Sequence, residues 1–173
     1  MIFTLLNYNV WGADTNVATS TLTLGVPEVA LLKTSTGVIS LSLVHQNAGQ
    51  SVTPSASDST ARLLISSVIT SATRTLSAKI TTGSVPAGTL LKLLAMTPDA
   101  NFVGTSGTLG SQITLDATDR PIVTGIGTCY SGTSTTNGYP LVFTFALDAS
   151  AYASLRATTG TQIVVTLTLT AAQ

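Results

Sequence analysis

Apolar and polar residues alternate with a period of two along most of this chain, in short runs broken by Gly, Pro, Ser and Asn. A strand turns successive side chains to opposite faces, so this period predicts strands with one buried face. The clearest run is 161–170 (TQIVVTLTLT), where Val165, Leu167 and Leu169 share one face and Thr166, Thr168 and Thr170 the other. The same reading predicts strands over 19–24, 28–32, 38–44, 62–69, 74–81, 89–96, 112–115, 121–127 and 139–147. In 38–44, Ile39, Leu41 and Leu43 are expected inward and Ser40 and Ser42 outward. Pro27 can open a strand but cannot sit within one, which fits a start at Glu28.

Between these runs, 46–60, 97–110 and 131–138 are rich in Ser, Gly, Thr and Asn and read as loops. Segments 82–88 and 116–121 read as turns. Only 148–155 suggests helix, one or two turns capped by Asp148 or Ser150. Nine or ten short strands at this spacing predict an all-β fold, a single β-sandwich of Greek-key type, pilin-like or Ig-like. No repeat is visible, which argues against a solenoid or propeller. The sandwich is expected to take 17–173. Residues 1–16 stand apart as an N-terminal extension.

Composition sharpens this picture. The 173 residues suffice for one well-cored domain. Only 8% are charged, and seven basic residues balance seven acidic ones. No basic stripe is present to collect phosphates, so nucleic acid is not an expected partner. No polybasic segment would hold an anionic membrane, and no apolar run is long enough to span one as a helix. Thr and Ser fill the gap, about three residues in ten. A hydroxyl surface with zero net charge repels its copies weakly and favours association. A Thr-rich soluble monomer is the plainer alternative. The single cysteine, Cys129, excludes an intrachain disulfide without fixing the compartment. Residues 1–10 are apolar but lack a basic n-region and a small-residue cleavage pattern, so they do not read as an intact signal peptide.

Catalytic raw material is sparse. His45 is the sole histidine, and no G-x-S-x-G elbow accompanies it. A Cys129–His45 pair is conceivable, but a buried thiol acting as a small hydrophobe is the simpler reading. Asp116 and Asp119 share one turn and could help hold calcium, yet two side chains suit a turn better. No zinc spacing or phosphate cradle is found. The expectation is a non-enzyme without cofactor or metal. Tyr130 and Tyr139 flank the polar loop 131–138 and form a candidate ligand patch for a host or surface glycan; packing at strand ends with wet hydroxyls is the simpler reading.

Two sets of segments carry a resemblance. Residues 22–32 (LTLGVPEVALL), 80–88 (ITTGSVPAG) and Gly125-Ile126-Gly127 followed by Tyr130 resemble, in order, uncharacterised secreted β proteins of Bacteroidota-type bacteria. The closing segment 162–170 (QIVVTLTLT) is similar to the last strand of pilin-like secreted subunits. The first group implies no activity. The second implies a subunit of an extracellular or cell-surface filament, polymerising with copies of itself by lending a strand to a neighbour's incomplete sandwich. Residues 1–11 suit a donor, with Ile2, Leu6, Tyr8 and Val10 on one face and Trp11 at its end, and 12–16 as hinge. Pairing of this segment within its own domain stays open beside that reading. So do a surface adhesin or carbohydrate-binding module and a viral coat or tail subunit.

Overall fold

The computed structural model describes Val17, 19–45 and 47–171. The expected donor residues Ile2, Leu6, Tyr8, Val10 and Trp11 lie outside the described residues. Among the described residues the strands are β1 (Val29–Thr34), β2 (Ser55–Asp58), β3 (Arg62–Val68), β4 (Arg74–Thr82), β5 (Thr89–Ala95) and β6 (Val103–Gly104). They continue as β7 (Thr108–Leu109), β8 (Ile113–Thr114), β9 (Arg120–Ile126), β10 (Cys129–Tyr130), β11 (Tyr139–Leu147) and β12 (Val164–Ala171). A short 3-10 helix, Ala149–Ser154, starts at Asp148, whose side chain accepts the Ser150 amide.

The strands make two antiparallel sheets, as the alternation predicts. One runs β6-β10-β3-β11-β5-β8, with β1 on β3 and β2 on β11; the other runs β12-β4-β9-β7. Their inner faces meet through Leu63 and Ile65 of β3, Leu76, Ala78 and Ile80 of β4, Leu91 and Leu93 of β5, Ile122, Val123 and Ile126 of β9, and Leu141 of β11. Burial of these aliphatic side chains, roughly 1.5–3 kcal/mol each, is what joins the sheets. Tyr139 fixes the start of β11, with its ring fully buried and its hydroxyl donating to the Ser106 carbonyl. Gly138 just before it has φ +84, and a Cβ there would collide with the Leu63 carbonyl, so only glycine lets β11 approach β3.

Three expectations about strands need correction. Segment 19–24 joins no sheet, and Leu22 and Leu24 are 74% and 88% exposed. Segment 38–44 keeps the expected alternation, with Ile39, Leu41 and Leu43 half-buried, but it joins no sheet either. Two regions expected as loops hold short strands: β2 lies in 46–60, and β6 and β7 lie in 97–110. Four-residue and two-residue pairings carry too little apolar pattern to stand out in a Ser- and Thr-rich sequence.

The register explains the behaviour of 38–44. β1 and β3 pair from Val29↔Val68 to Thr34↔Leu63. The Ser35 amide bonds the Arg62 carbonyl at 2.9 Å, and the Thr53 amide bonds the Val44 carbonyl at 2.8 Å, both in the same register. Residues 36–43 therefore stand opposite 54–61 as the continuation of one hairpin. Yet no backbone hydrogen bond joins them among the described residues. The β2 strand pairs instead with β11, from Phe143↔Asp58 to Ala146↔Ser55. The segment 36–43 is thus a strap, strand-like in pattern and peeled from its ladder.

Candidate functional site

Peeling of the strap leaves the sandwich open at one end. A cleft of about 800 Å³ lies there between the sheets. The first sheet contributes Ala61, Leu91, Leu141, Phe143 and Phe145; the second side contributes Ile163, Val165 and Leu167; the strap contributes Ile39, Leu41 and Leu43. Thr34, Thr36, Arg156, Thr158 and Thr161 bring polar groups to its lining. The residues 163, 165 and 167 line the cleft because strand alternation turns every second side chain inward. The same rule selects 141, 143 and 145 from β11.

The cleft end is distinct from the end where β1 begins. At that root end, Arg74 is buried and its guanidinium meets the Glu28 carboxylate at 2.5 Å. Arg74 pairs across the sheet with Ile126 on one side and Ala171 on the other. Ahead of Glu28, residues 19–27 form an arm with no hydrogen bond to the rest of the described chain. Its alternate residues Leu22, Leu24 and Val26 are 74%, 88% and 84% exposed. An exposed row of aliphatic side chains costs hydration free energy, which makes the arm a candidate contact surface.

The residues considered for chemistry do not converge. The Cys129 thiol is buried in the core, where desolvation pushes its pKa up to about 11. It pairs with Ser67 near the root end, whereas His45 follows Val44 and Thr53 beyond the other end. Along the extended run from Thr53 to Ser67 that places them roughly 40 Å apart, too far for a nucleophile and its base. The exposed His45 ring instead has Nε2 at 2.9 Å from the Gln50 carbonyl. Asp116 accepts from the Thr118 amide at 2.7 Å and from Arg120 at 2.6 Å. Asp119 faces Lys79 at 3.4 Å. Both carboxylates thus order their turn and answer cations. Among the described residues, no three His, Cys, Asp or Glu side chains gather as a metal site would need.

The two tyrosines do not form one platform. Tyr130 is 53% exposed on β10 beside Val103, but Tyr139 is buried, packed edge-on against Phe102 at 5.4 Å between ring centroids. Burial, with a smaller contribution from the neighbouring Cys129, pushes the Tyr139 hydroxyl well above the usual phenol range. Its hydroxyl is bonded to Ser106 and is not presented to a ligand. Of this pair, only Tyr130 is open to a glycan.

The cleft and the arm were each half-visible in the sequence. The inward residues of 38–44 and 161–170 were legible from alternation, but the missing ladder between 36–43 and 54–61 leaves no mark in either pattern. Compared with known proteins, the chain matches no family model, no curated protein and no solved structure.

Proposed function

We propose that the protein is a structural subunit that assembles with copies of itself head-to-tail, by strand exchange, into an extracellular filament or surface layer. The observation that carries this reading is the open cleft: an apolar-lined space of about 800 Å³ between the sheets, beside a register-matched strap that has no ladder partner among the described residues. A strand from another chain would satisfy backbone groups and apolar walls together. The hydroxyl-rich, uncharged composition supports packing of many copies, since 8% charged residues give little mutual repulsion.

Negative-stain electron microscopy of the protein from its native source, beside size-exclusion chromatography, tests the reading. Uniform thin filaments or sheets are the expected result. A clean monomer at every concentration would overturn it.

A further inference from the structure

The cleft needs a donor, and the described residues contain one suited to it. We propose that residues 19–26 of one copy enter the cleft of the next as a β-strand, between the strap and β2, with Leu22, Leu24 and Val26 turned to the apolar interior. This rests on the strand-exchange reading and assigns its donor, in place of the first eleven residues.

Spacing supports the fit. The arm carries aliphatic residues at 22, 24 and 26; the strap carries them at 39, 41 and 43; the edge of the second sheet carries them at 163, 165 and 167. In an extended strand like-facing residues stand about 6.6 Å apart, so an arm docked as a strand would present its anchors at the spacing of a strand wall. Gly25, between two anchors, has no heavy atom within 4 Å where a Cβ would stand, so nothing crowds the arm at that position. The arm brings no charge between residues 19 and 27, so none is buried by docking. The backbone of 36–43 has no hydrogen-bond partner among the described residues, and β2 pairs only through the edge that faces β11. An inserted strand supplies a ladder to both.

Reach decides that the donor belongs to a second copy. Glu28 is held at the root end by Arg74, while the seat between the strap and β2 begins past Thr34, the far end of β1. Six residues of strand separate these ends by about 20 Å. Leu22 and Leu24 are six and four residues from Glu28 and can travel at most about 21 Å and about 14 Å from it, so Leu22 comes no further than the mouth of the seat and Leu24 stops short of it. Val26 is closer still. Folding back onto its own β1, the arm cannot seat its anchors in its own cleft. A neighbour's arm has no such limit. Arm and cleft lie at opposite ends, so the contact is heterologous and every copy leaves one arm and one cleft free, which propagates an open chain.

The test uses the full chain with Leu22→Asp and Leu24→Asp together. Both side chains are exposed, so the subunit should fold with an unchanged melting temperature. It should remain monomeric where the unsubstituted protein polymerises. It keeps its cleft, so added at one part in ten it should shorten polymers of the unsubstituted protein. A fluorescent synthetic peptide of residues 19–28 should bind the double variant in a 1:1 ratio, and the peptide carrying the same two substitutions should not. Polymerisation of the double variant equal to that of the unsubstituted protein would overturn the arm assignment and leave strand exchange with another donor standing. An unsubstituted protein that is monomeric throughout, with no peptide binding, would overturn both.

Discussion

Strand β11 passes through two environments, and the difference between them separates what holds this molecule together from what it leaves open. At its start, Tyr139 and Leu141 are 0% and 1% exposed and pack on β3 and the second sheet. A few residues on, Phe143 and Phe145 point to the same side and are only half-buried, because they line the cleft. Strand type and alternation are the same in both halves. What differs is whether a laddered neighbour covers the edge. Toward the root end, β3 is paired on both sides, by β1 and by β10 or β11. At the cleft end, β2 is paired on one side only and the strap stands off the other. A completed core is therefore local to the middle and root of the sandwich.

The largest expected effect tests that contrast directly. Leu63 is fully buried between the sheets, so Leu63→Ala should cost about 2–5 kcal/mol in urea unfolding of the monomer. Leu41 occupies a half-buried position of the same chemical type on the strap. Leu41→Ala should cost less than about 1 kcal/mol, because water already reaches its surroundings. Equal costs at the two positions would mean that the cleft is closed in solution, and the comparison would fail.

The root end makes a second prediction. The Arg74 side chain is 7% exposed, its Nε has no partner, and Glu28, 51% exposed, supplies its ion pair. Glu28→Gln removes the countercharge and leaves the guanidinium in place. The expected loss is about 1.5–3 kcal/mol, the range for a hydrogen bond to a charged group. Glu28→Gln should also loosen the base of the arm, so amide exchange should rise at 29–31 in β1 more than at 32–34. Uniform exchange along β1 would show that the pair does not anchor the root.

Hydrogen exchange on the unaltered monomer refines the contrast without any substitution. Amides of 62–68 and 74–80 lie in ladders of the core and should open only with global unfolding. Amides of 38–43 have no ladder and should exchange near the rate of an unfolded chain. On assembly, the strap amides should become protected while those of the core change little. Slow exchange at 38–43 in the monomer would mean that the strap has closed on β2 by itself.

How much of this was legible in the sequence follows from what alternation reports. It records which side chains are buried, and it found β3, β4, β5, β11 and β12 with ends within three residues. It also selected Ile39, Leu41 and Leu43 as inward, which holds although 38–44 is no strand. It does not record whether a backbone has a partner. Residues 19–26 and 164–170 carry similar Thr/Leu alternation, yet one stands free and the other pairs along β4. Leu24 and Leu167 differ in environment only because chain topology brings β4 beside one of them. Tyr130 and Tyr139 teach the same point. Their positions on either side of a polar loop suggested one patch, but Gly138 turns the chain so that Tyr139 enters the core and Tyr130 does not.

The smallest expected effect contrasts two ion pairs. Arg74–Glu28 sets one side chain inside the sandwich, whereas Arg120–Asp116 is a surface pair at 2.6 Å with both side chains nearly half exposed. The hydrogen bond from Arg120, followed by that from the Thr118 amide, lowers the Asp116 pKa from 3.8 to about 2. A carboxylate held below its unfolded value stabilises the fold above that unfolded value. The contribution is fully present above pH 4 or so and falls away as pH drops through 3.8 toward 2. Asp116→Asn should therefore lower the melting temperature only slightly at pH 7, because salt and water screen the pair, and by about as much as the acid decline it removes. It should flatten the decline of melting temperature between about pH 4 and 2. A loss at pH 7 as large as that of Glu28→Gln would mean that the turn 116–120 matters to the sandwich as much as its buried arginine, and that position at the surface does not separate the two pairs.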